Sequence, residues 1–468
     1  MLFSSVTFLF VFFPITLLAY AIAPKRLKNV VLLLASLVFY AWGEPVYIGL
    51  MLLSILLNYV CGRDIYLAKE AGGSGKRELV FALAANLALL GFFKYSGFFA
   101  GIWNQISPVP LPYRKLALPI GISFYTFQAI SYLIDIYRGE VKPQKHVMNF
   151  ALYISMFPQL IAGPIVRYID IDKQLAQRKE SLEKFGAGAR YFIIGLGKKV
   201  ILANGIGAVF DMIHGSFLQE GTAYVLTAWI GAVAYALQIY FDFSGYSDMA
   251  IGLGKMFGFD FRRNFHYPYT SRSITEFWRR WHISLGTWFR EYVYIPLGGN
   301  KKGGKRQIIN LLIVWTLTGF WHGAAWNFLF WGLYYGVFLI LEKFVWGNAL
   351  ERGSGWMQRI YTLAVVLIGW VFFFSDSLQG AIRYIGILFG VGSKGVLDSM
   401  SVYYLASNWL LFLCCIIGST PAAVWLLNSD KYEGNPRWMA LSLYAGIFLV
   451  ALSCLVSSTF NPFLYFRF

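Results

Sequence analysis

Of the five histidines in this 468-residue sequence, His322 occupies the most apolar setting. It stands in "GFWHGAAWNFLFWG" (319–332) among three tryptophans, and no Asp, Glu, Lys or Arg occurs from Ile308 to Leu341. An ionisable side chain buried in hydrocarbon is costly and marks a functional position by default. A neutral imidazole in an apolar site keeps the capacity to accept a proton. It suits general-base work on a hydroxyl attacking an activated acyl group, and a thioester needs little more help because its leaving group is good. A structural histidine bonded to a neighbouring carbonyl is the alternative.

The element carrying it must bend. One helix over 308–341 would run about 51 Å, against a hydrocarbon core of about 30 Å. Gly319 and Gly323 flank the histidine and mark the place for close helix packing or a break.

A second histidine lies in the richest polar stretch, "FRRNFHYPYTSRSITEFWRRWHISLGTWFREYVYIPLGG" (261–299). Ser273 or Thr275 can cap a helix that runs to about Tyr292, and Glu276 and Arg280 stand four apart. Trp278, Trp281, Leu285 and Trp288 form one face, with His282 after the stripe begins and Arg279 one turn before it. An interfacial amphipathic helix, whose His and Arg meet only headgroups, fits the same pattern.

Other chemistries leave no signature. No histidine opens an HxxxxD box, since the fifth residue after His322 is Asn327. There is no GxSxG, HExxH or DHHC cluster, and "GGSGKR" lacks the phosphate-loop spacing. No carboxylate or thiol stands at metal-ligand spacing from a histidine, so no metal is expected. Asp135, Asp242 and Asp248 fall in or beside apolar runs. "FDFSGYSDMAIGLGKMFGF" (241–259), which holds two of them, reads equally as a packing seam or a pocket wall. The sequence brings no acidic partner to His322, which counts mildly against a channel or proton-coupled transporter.

Composition defines the solvent. The chain is 58% hydrophobic, 13% charged and 19% aromatic, with a mean hydropathy of +0.56. These values exclude an ordinary soluble protein and indicate a polytopic one with aromatic belts in the bilayer. The formal charge of +17 sits in clusters at 25–28, 198–199, 262–263 and 301–306. They read as positive-inside topology and anionic-lipid contact rather than nucleic-acid binding. The four cysteines, Cys61, Cys414, Cys415 and Cys454, lie in apolar runs and read as packing residues. Residues 3–23 form a retained first span with Lys25, Arg26 and Lys28 behind it, which puts the N-terminus outside. About a dozen apolar segments follow in all. Segments 156–167 and 295–300 are too broken by Gly and Pro to span, and read as re-entrant or interfacial. Segment 167–190 reads as a cytosolic loop with a surface helix. No repeat or linker divides the chain, so one membrane domain over 1–468 is expected, ending in an aromatic tail, 458–468.

At this point a resemblance becomes visible. "SLVFYAWGEP" (36–45), "LPIGISFYTFQAISYLIDIYRG" (118–139), "FPQLIAGPIVRY" (157–168), "QIYFDFSGYSDMAIGLGKMFGFDFRRNFHYPY" (238–269), "SITEFWRRWHISLGTWFREYVYIPLGG" (273–299) and "GFWHGAAWNFLFWGLYYG" (319–336) occur in this order. Together they resemble the membrane-bound O-acyltransferase (MBOAT) family, in its bacterial alginate O-acetyltransferase branch, over essentially the whole chain. The resemblance implies an all-α fold of many tilted and re-entrant helices around a central tunnel, in the bacterial inner membrane. It implies that His322 is the essential histidine and His282 its polar catalytic-site partner. Acetyl-CoA from the cytosol would be the donor substrate, with no permanently bound cofactor. Arg262, Arg263 and Arg279 are candidates to meet its phosphates.

The tail "STFNPFLYFRF" resembles the C-terminal motif of the small partner protein in teichoic-acid D-alanylation, whose tyrosine carries the acyl group. Here the pattern falls on Phe463, Tyr465, Phe466 and Phe468. It implies that Tyr465 relays acetyl from the tunnel to an extracytoplasmic SGNH-type acetyltransferase, for an exopolysaccharide or cell-wall polymer. Direct transfer to a glycan or lipid-linked acceptor, with Tyr465 only an anchor, is the alternative.

Overall fold

The computed structural model describes residues 1–113, 116–161, 163–422, 437–457 and 464, without the side chains of residues 437 and 439. The described residues form helices and turns and no strand. Among the described residues, eight helices are long and apolar enough to cross a membrane, and Phe8–Ile22 and Lys28–Gly43 are shorter apolar helices. Side-chain interactions explain why so many helices hold in lipid: with apolar solvent outside, packing and internal polar contacts must do the work. The chain forms two compact units, Met1–Phe192 with Met249–Arg262, and Ile193–Asp248 with Arg263–Phe468.

In the first unit, Ile122–Arg138 is buried along nearly its whole length. The broken segment at 156–167 contains a single four-residue helix, Phe157–Leu160, and its described residues are nearly all buried. Irregular backbone is tolerated at such a place only when the protein satisfies it. Ser36 Oγ accepts from the Phe157 amide at 3.1 Å, and Tyr153 Oη donates to the Val166 carbonyl at 3.1 Å. Within 167–190, Tyr168–Ala176 is a surface helix that buries Tyr168, Ile171 and Leu175. Arg178 follows it and donates to Tyr20 Oη, Asn29 Oδ1 and the Phe257 carbonyl.

In the second unit, two helical segments cross at glycine. A Cβ on Gly245 would lie 2.7 Å from the Gly195 carbonyl oxygen and 3.0 Å from the Lys199 nitrogen. This close approach belongs to Val225–Met256 and to a helical stretch that widens into a π-helical turn at Lys198–Ala203. Such turns recur at functional sites. Here the turn faces Lys198 and Lys199 to carboxylates: Lys198 Nζ is 2.7 Å from Asp248 Oδ2, and Lys199 Nζ is 2.5 Å from Asp242 Oδ1. The expected contact of residues 198–199 with anionic lipid is therefore corrected, because both ammonium groups meet carboxylates of the protein itself. Lys199 is only 2% exposed and is an internal counter-ion, with its partner far away in sequence.

Candidate functional site

The long apolar run breaks at its histidine. Gly304–His322 ends at His322, Gly323 is extended, and Trp326–Leu341 returns as the second arm of a hairpin. The arms touch through glycine: a Cβ on Gly332 would stand 2.2 Å from the Trp315 carbonyl oxygen, and one on Gly319 2.3 Å from that of Phe328. Small residues bring the two backbones together. The result places His322 at a helix end, within the buried interior.

Aromatic rings hold the imidazole edge-on. Trp321, Trp331 and Phe373 have centroids 4.8, 4.9 and 5.2 Å from that of His322, at interplanar angles of 78°, 78° and 76°. Phe373 and Trp370 come from Gly355–Phe374. The end of that helix is tied to the hairpin by Asn327, whose Nδ2 donates to the Ser375 carbonyl at 2.8 Å and to that of Phe372 at 3.2 Å. Asn327 is thus a positioning residue for the aromatic wall.

His322 lines a cavity together with Phe243, Trp281, Trp331, Trp370 and Phe373, with Ile239 and Leu464, and with Asp242. The sequence expectation of no acidic neighbour is corrected here, because Asp242, eighty residues earlier in the chain, stands in the same wall. Both of its oxygens are engaged. Oδ1 faces Lys199, and Oδ2 accepts from the Leu464 amide at 2.9 Å. An imidazole in this wall can exchange a proton with a bound hydroxyl, while the carboxylate is neutralised beside it.

His282 is set differently. The helix expected to continue to Tyr292 is cut in two, Ile274–Arg280 and Ile283–Phe289, with His282 between them at φ 46°. The segment 264–266 takes the backbone groups that continuation would use. The His266 amide donates to the Arg280 carbonyl and the Ile283 amide to the Asn264 carbonyl, both at 2.9 Å. Asn264 Oδ1 also accepts from Ser284 Oγ at 2.9 Å and faces His282 Nδ1 at 3.2 Å. An amide oxygen only accepts, so Nδ1 carries the proton and Nε2 the lone pair. His282 is 2% exposed, and its Nε2 is buried with no hydrogen-bond partner among the described residues. It does not line the cavity beside His322, though the Trp321 ring lies against both histidines.

The local expectations around it hold in part. Ser273 caps the first helix, its Oγ accepting from the Glu276 amide at 3.0 Å, and Arg280 pairs with Glu276 at 2.6 Å. Trp281, Leu285 and Trp288 are buried, which a helix lying at the bilayer surface would not require. Sequence reasoning missed Glu342, which is 6% exposed. Its carboxylate accepts from the Ile274 amide at 2.6 Å and the Thr275 amide at 2.9 Å, a negative charge at the positive end of a helix. It is the first charged residue after the long apolar run, which was the available signal.

The three arginines are all exposed. Arg262 belongs to the first unit and pairs with Asp170 at 2.7 Å. Arg263 and Arg279 belong to the second unit and do not line the cavity. Burial, then the charges of Arg263 and Arg280, push the nearby His266 imidazole below its ordinary range. Tyr465 lies outside the described residues, and Leu464 beside it lies within them.

Comparison with known proteins brings this geometry together with chemistry. The description "MBOAT, membrane-bound O-acyltransferase family" matches residues 140–380. The probable alginate O-acetylase AlgI of Pseudomonas putida is 39% identical, over 100% of both chains. That of Pseudomonas aeruginosa is 43% identical over 84% of this chain and 76% of its own length. The peptidoglycan O-acetyltransferase of Helicobacter pylori is 31% identical over 100% of this chain and 98% of its own.

Proposed function

Because this chain belongs to the membrane-bound O-acyltransferase family and is a multi-pass O-acyltransferase of the bacterial inner membrane, we propose that it moves acetyl groups from cytosolic acetyl-CoA to an extracytoplasmic acceptor through Tyr465. In this reading His322 removes the phenolic proton of Tyr465, and the phenolate oxygen attacks the thioester carbonyl carbon. The tetrahedral adduct collapses by breaking the C–S bond, and the CoA thiolate recovers the proton from the imidazolium. The tyrosyl acetate is an aryl ester and remains an activated donor. A partner of the SGNH-hydrolase type takes its acetyl group on a serine and passes it to a polysaccharide hydroxyl. Arg262, Arg263 and Arg279 contribute to the positive field that draws in the CoA phosphates. His282 supports the site with a buried, neutral acceptor nitrogen.

One observation carries the reading: Leu464, the residue before Tyr465, lines the same cavity as His322. The relatives named as acting on alginate and on peptidoglycan support a polymer as final acceptor, an exopolysaccharide or a cell-wall component.

The test uses purified protein in nanodiscs with acetyl-CoA. CoA release is followed, and acetyl groups are mapped on the C-terminal peptide by mass spectrometry, for wild type, His322→Ala and Tyr465→Phe. An acetyl on Tyr465 that is lost in both variants is expected. CoA release only in the presence of a glycan, with Tyr465 bare, would replace the relay by direct transfer.

A further inference from the structure

The cavity wall contains one member of an ion pair, Asp242, which with Lys199 behind it has no task in the chemistry above. Asp242 is 3% exposed and Lys199 2%. Lys199 Nζ also donates to Asn204 Oδ1 at 2.9 Å. Burying two charges side by side rarely adds stability over an apolar pair of the same volume, so retention in a lipid-embedded unit calls for a use. The geometry offers one. Asp242 Oδ2 accepts the main-chain N–H of Leu464, a residue 222 positions away, at 2.9 Å.

We infer that the Lys199–Asp242 pair is a latch that receives the C-terminal segment by its main chain and fixes it in register beside His322. The rest of the wall is aromatic or aliphatic apart from His322, so an amide entering without water needs an acceptor. A carboxylate makes the strongest such bond. Lys199 pairs with that carboxylate, Asn204 Oδ1 accepts from the same ammonium and orients it, and Gly245 allows the close crossing that brings Lys199 alongside. Asp242 and Lys199 are positioning residues: they act by holding the Leu464 main chain and take no proton. The consequence for acyl transfer rests on the Tyr465 reading above, while the docking itself does not.

Recognition through an N–H makes a sharp prediction. Leu464→Ala keeps the donor and Leu464→Pro removes it. The carboxylate can be removed without stranding a charge by the double variant Lys199→Met/Asp242→Leu, whereas either single change leaves a buried unpaired group.

The experiment places a benzophenone amino acid at Phe243, in the same wall, and measures photocrosslinking to the tail in full-length protein in nanodiscs. Tail acetylation from acetyl-CoA and CoA release with added p-cresol, a small phenol, are measured alongside on chains without the photoprobe. The double variant and Leu464→Pro are expected to lose tail crosslinking and tail acetylation by about tenfold or more, the scale of one charge-assisted hydrogen bond. Leu464→Ala, which keeps the N–H, should lose less of both than Leu464→Pro, and cresol-dependent CoA release should survive in Leu464→Pro, where His322, Asp242 and Lys199 are intact. Undiminished crosslinking in the double variant or in Leu464→Pro overturns the latch. Should the double variant lose cresol-dependent release as well, Leu464→Pro decides, because it leaves the pair intact. Lost crosslinking in these variants, with no acetyl ever found on wild-type Tyr465, would retain the latch and discard the acyl relay.

Discussion

His322 and His282, both in the second unit, occupy opposite kinds of environment. His322 ends a helix and is held by the edges and faces of Trp321, Trp331 and Phe373 in a cavity wall. His282 stands in a left-handed break, tied through Nδ1 to Asn264, and contributes nothing to that wall. One is ringed by aromatic side chains and faces the cavity; the other is tied by a hydrogen bond to Asn264 and stands at a break in the backbone. A base must meet its substrate, whereas a residue that fixes backbone acts without touching it. The contrast assigns direct chemistry to His322 first and makes the role of His282 a question about ring versus backbone.

The largest effect should come from removing the ring in the wall. His322→Ala is expected to lower acyl transfer by about 10²–10⁴-fold, the usual contribution of a general base, with the folded protein still recovered in detergent. Near-normal turnover in a steady-state CoA-release assay would end the assignment. Next comes the hairpin that holds it. Gly332→Ala forces a Cβ to 2.2 Å from the Trp315 carbonyl, so a loss of about 1–3 kcal/mol is expected from overpacking. Thermal melting followed by size-exclusion should show it, and an unchanged melt would mean that the hairpin is not the rigid element described.

Part of this was legible in the sequence. Length alone forced a break in 308–341, and the glycines beside His322 marked where. Short-range chemistry also read correctly, as with Ser273 at the helix start and Glu276 four residues from Arg280, because both partners share one helical period. The tertiary polar contacts were not legible. Lys199 meets Asp242 across a glycine crossing, and no periodicity links the two. Asn264 interrupts a helix eighteen residues later by competing for its backbone groups, while the tryptophan stripe across that break still follows helical spacing. A periodic apolar pattern reports which side chains are buried, and here it remained intact through a change of backbone direction.

The exposed arginines test whether the His282 side of the contrast faces the donor. Arg263 directly precedes Asn264, and Arg279 lies in the helix leading to His282. Arg263→Gln/Arg279→Gln should raise the KM for acetyl-CoA severalfold at low salt and leave kcat close to wild type. The difference should shrink as ionic strength rises, since charges exposed to water are screened over about 10 Å at 0.1 M salt. A salt-independent change in KM would count against phosphate steering.

The smallest effect is the most discriminating. At φ 46°, His282 holds a conformation that costs an L-residue roughly 1 kcal/mol and glycine almost nothing. His282→Ala and His282→Gly both remove the imidazole, and only the glycine relieves the backbone. If His282 serves through its ring, the two variants should lose the same activity, with His282→Gly the more stable by about 1 kcal/mol. If it serves by holding the break between the two helices, the glycine variant should recover activity along with stability. Paired melting curves and initial rates on the two variants separate these outcomes. A difference in stability without one in activity makes the ring the functional part, and the buried Nε2 then becomes the atom to pursue.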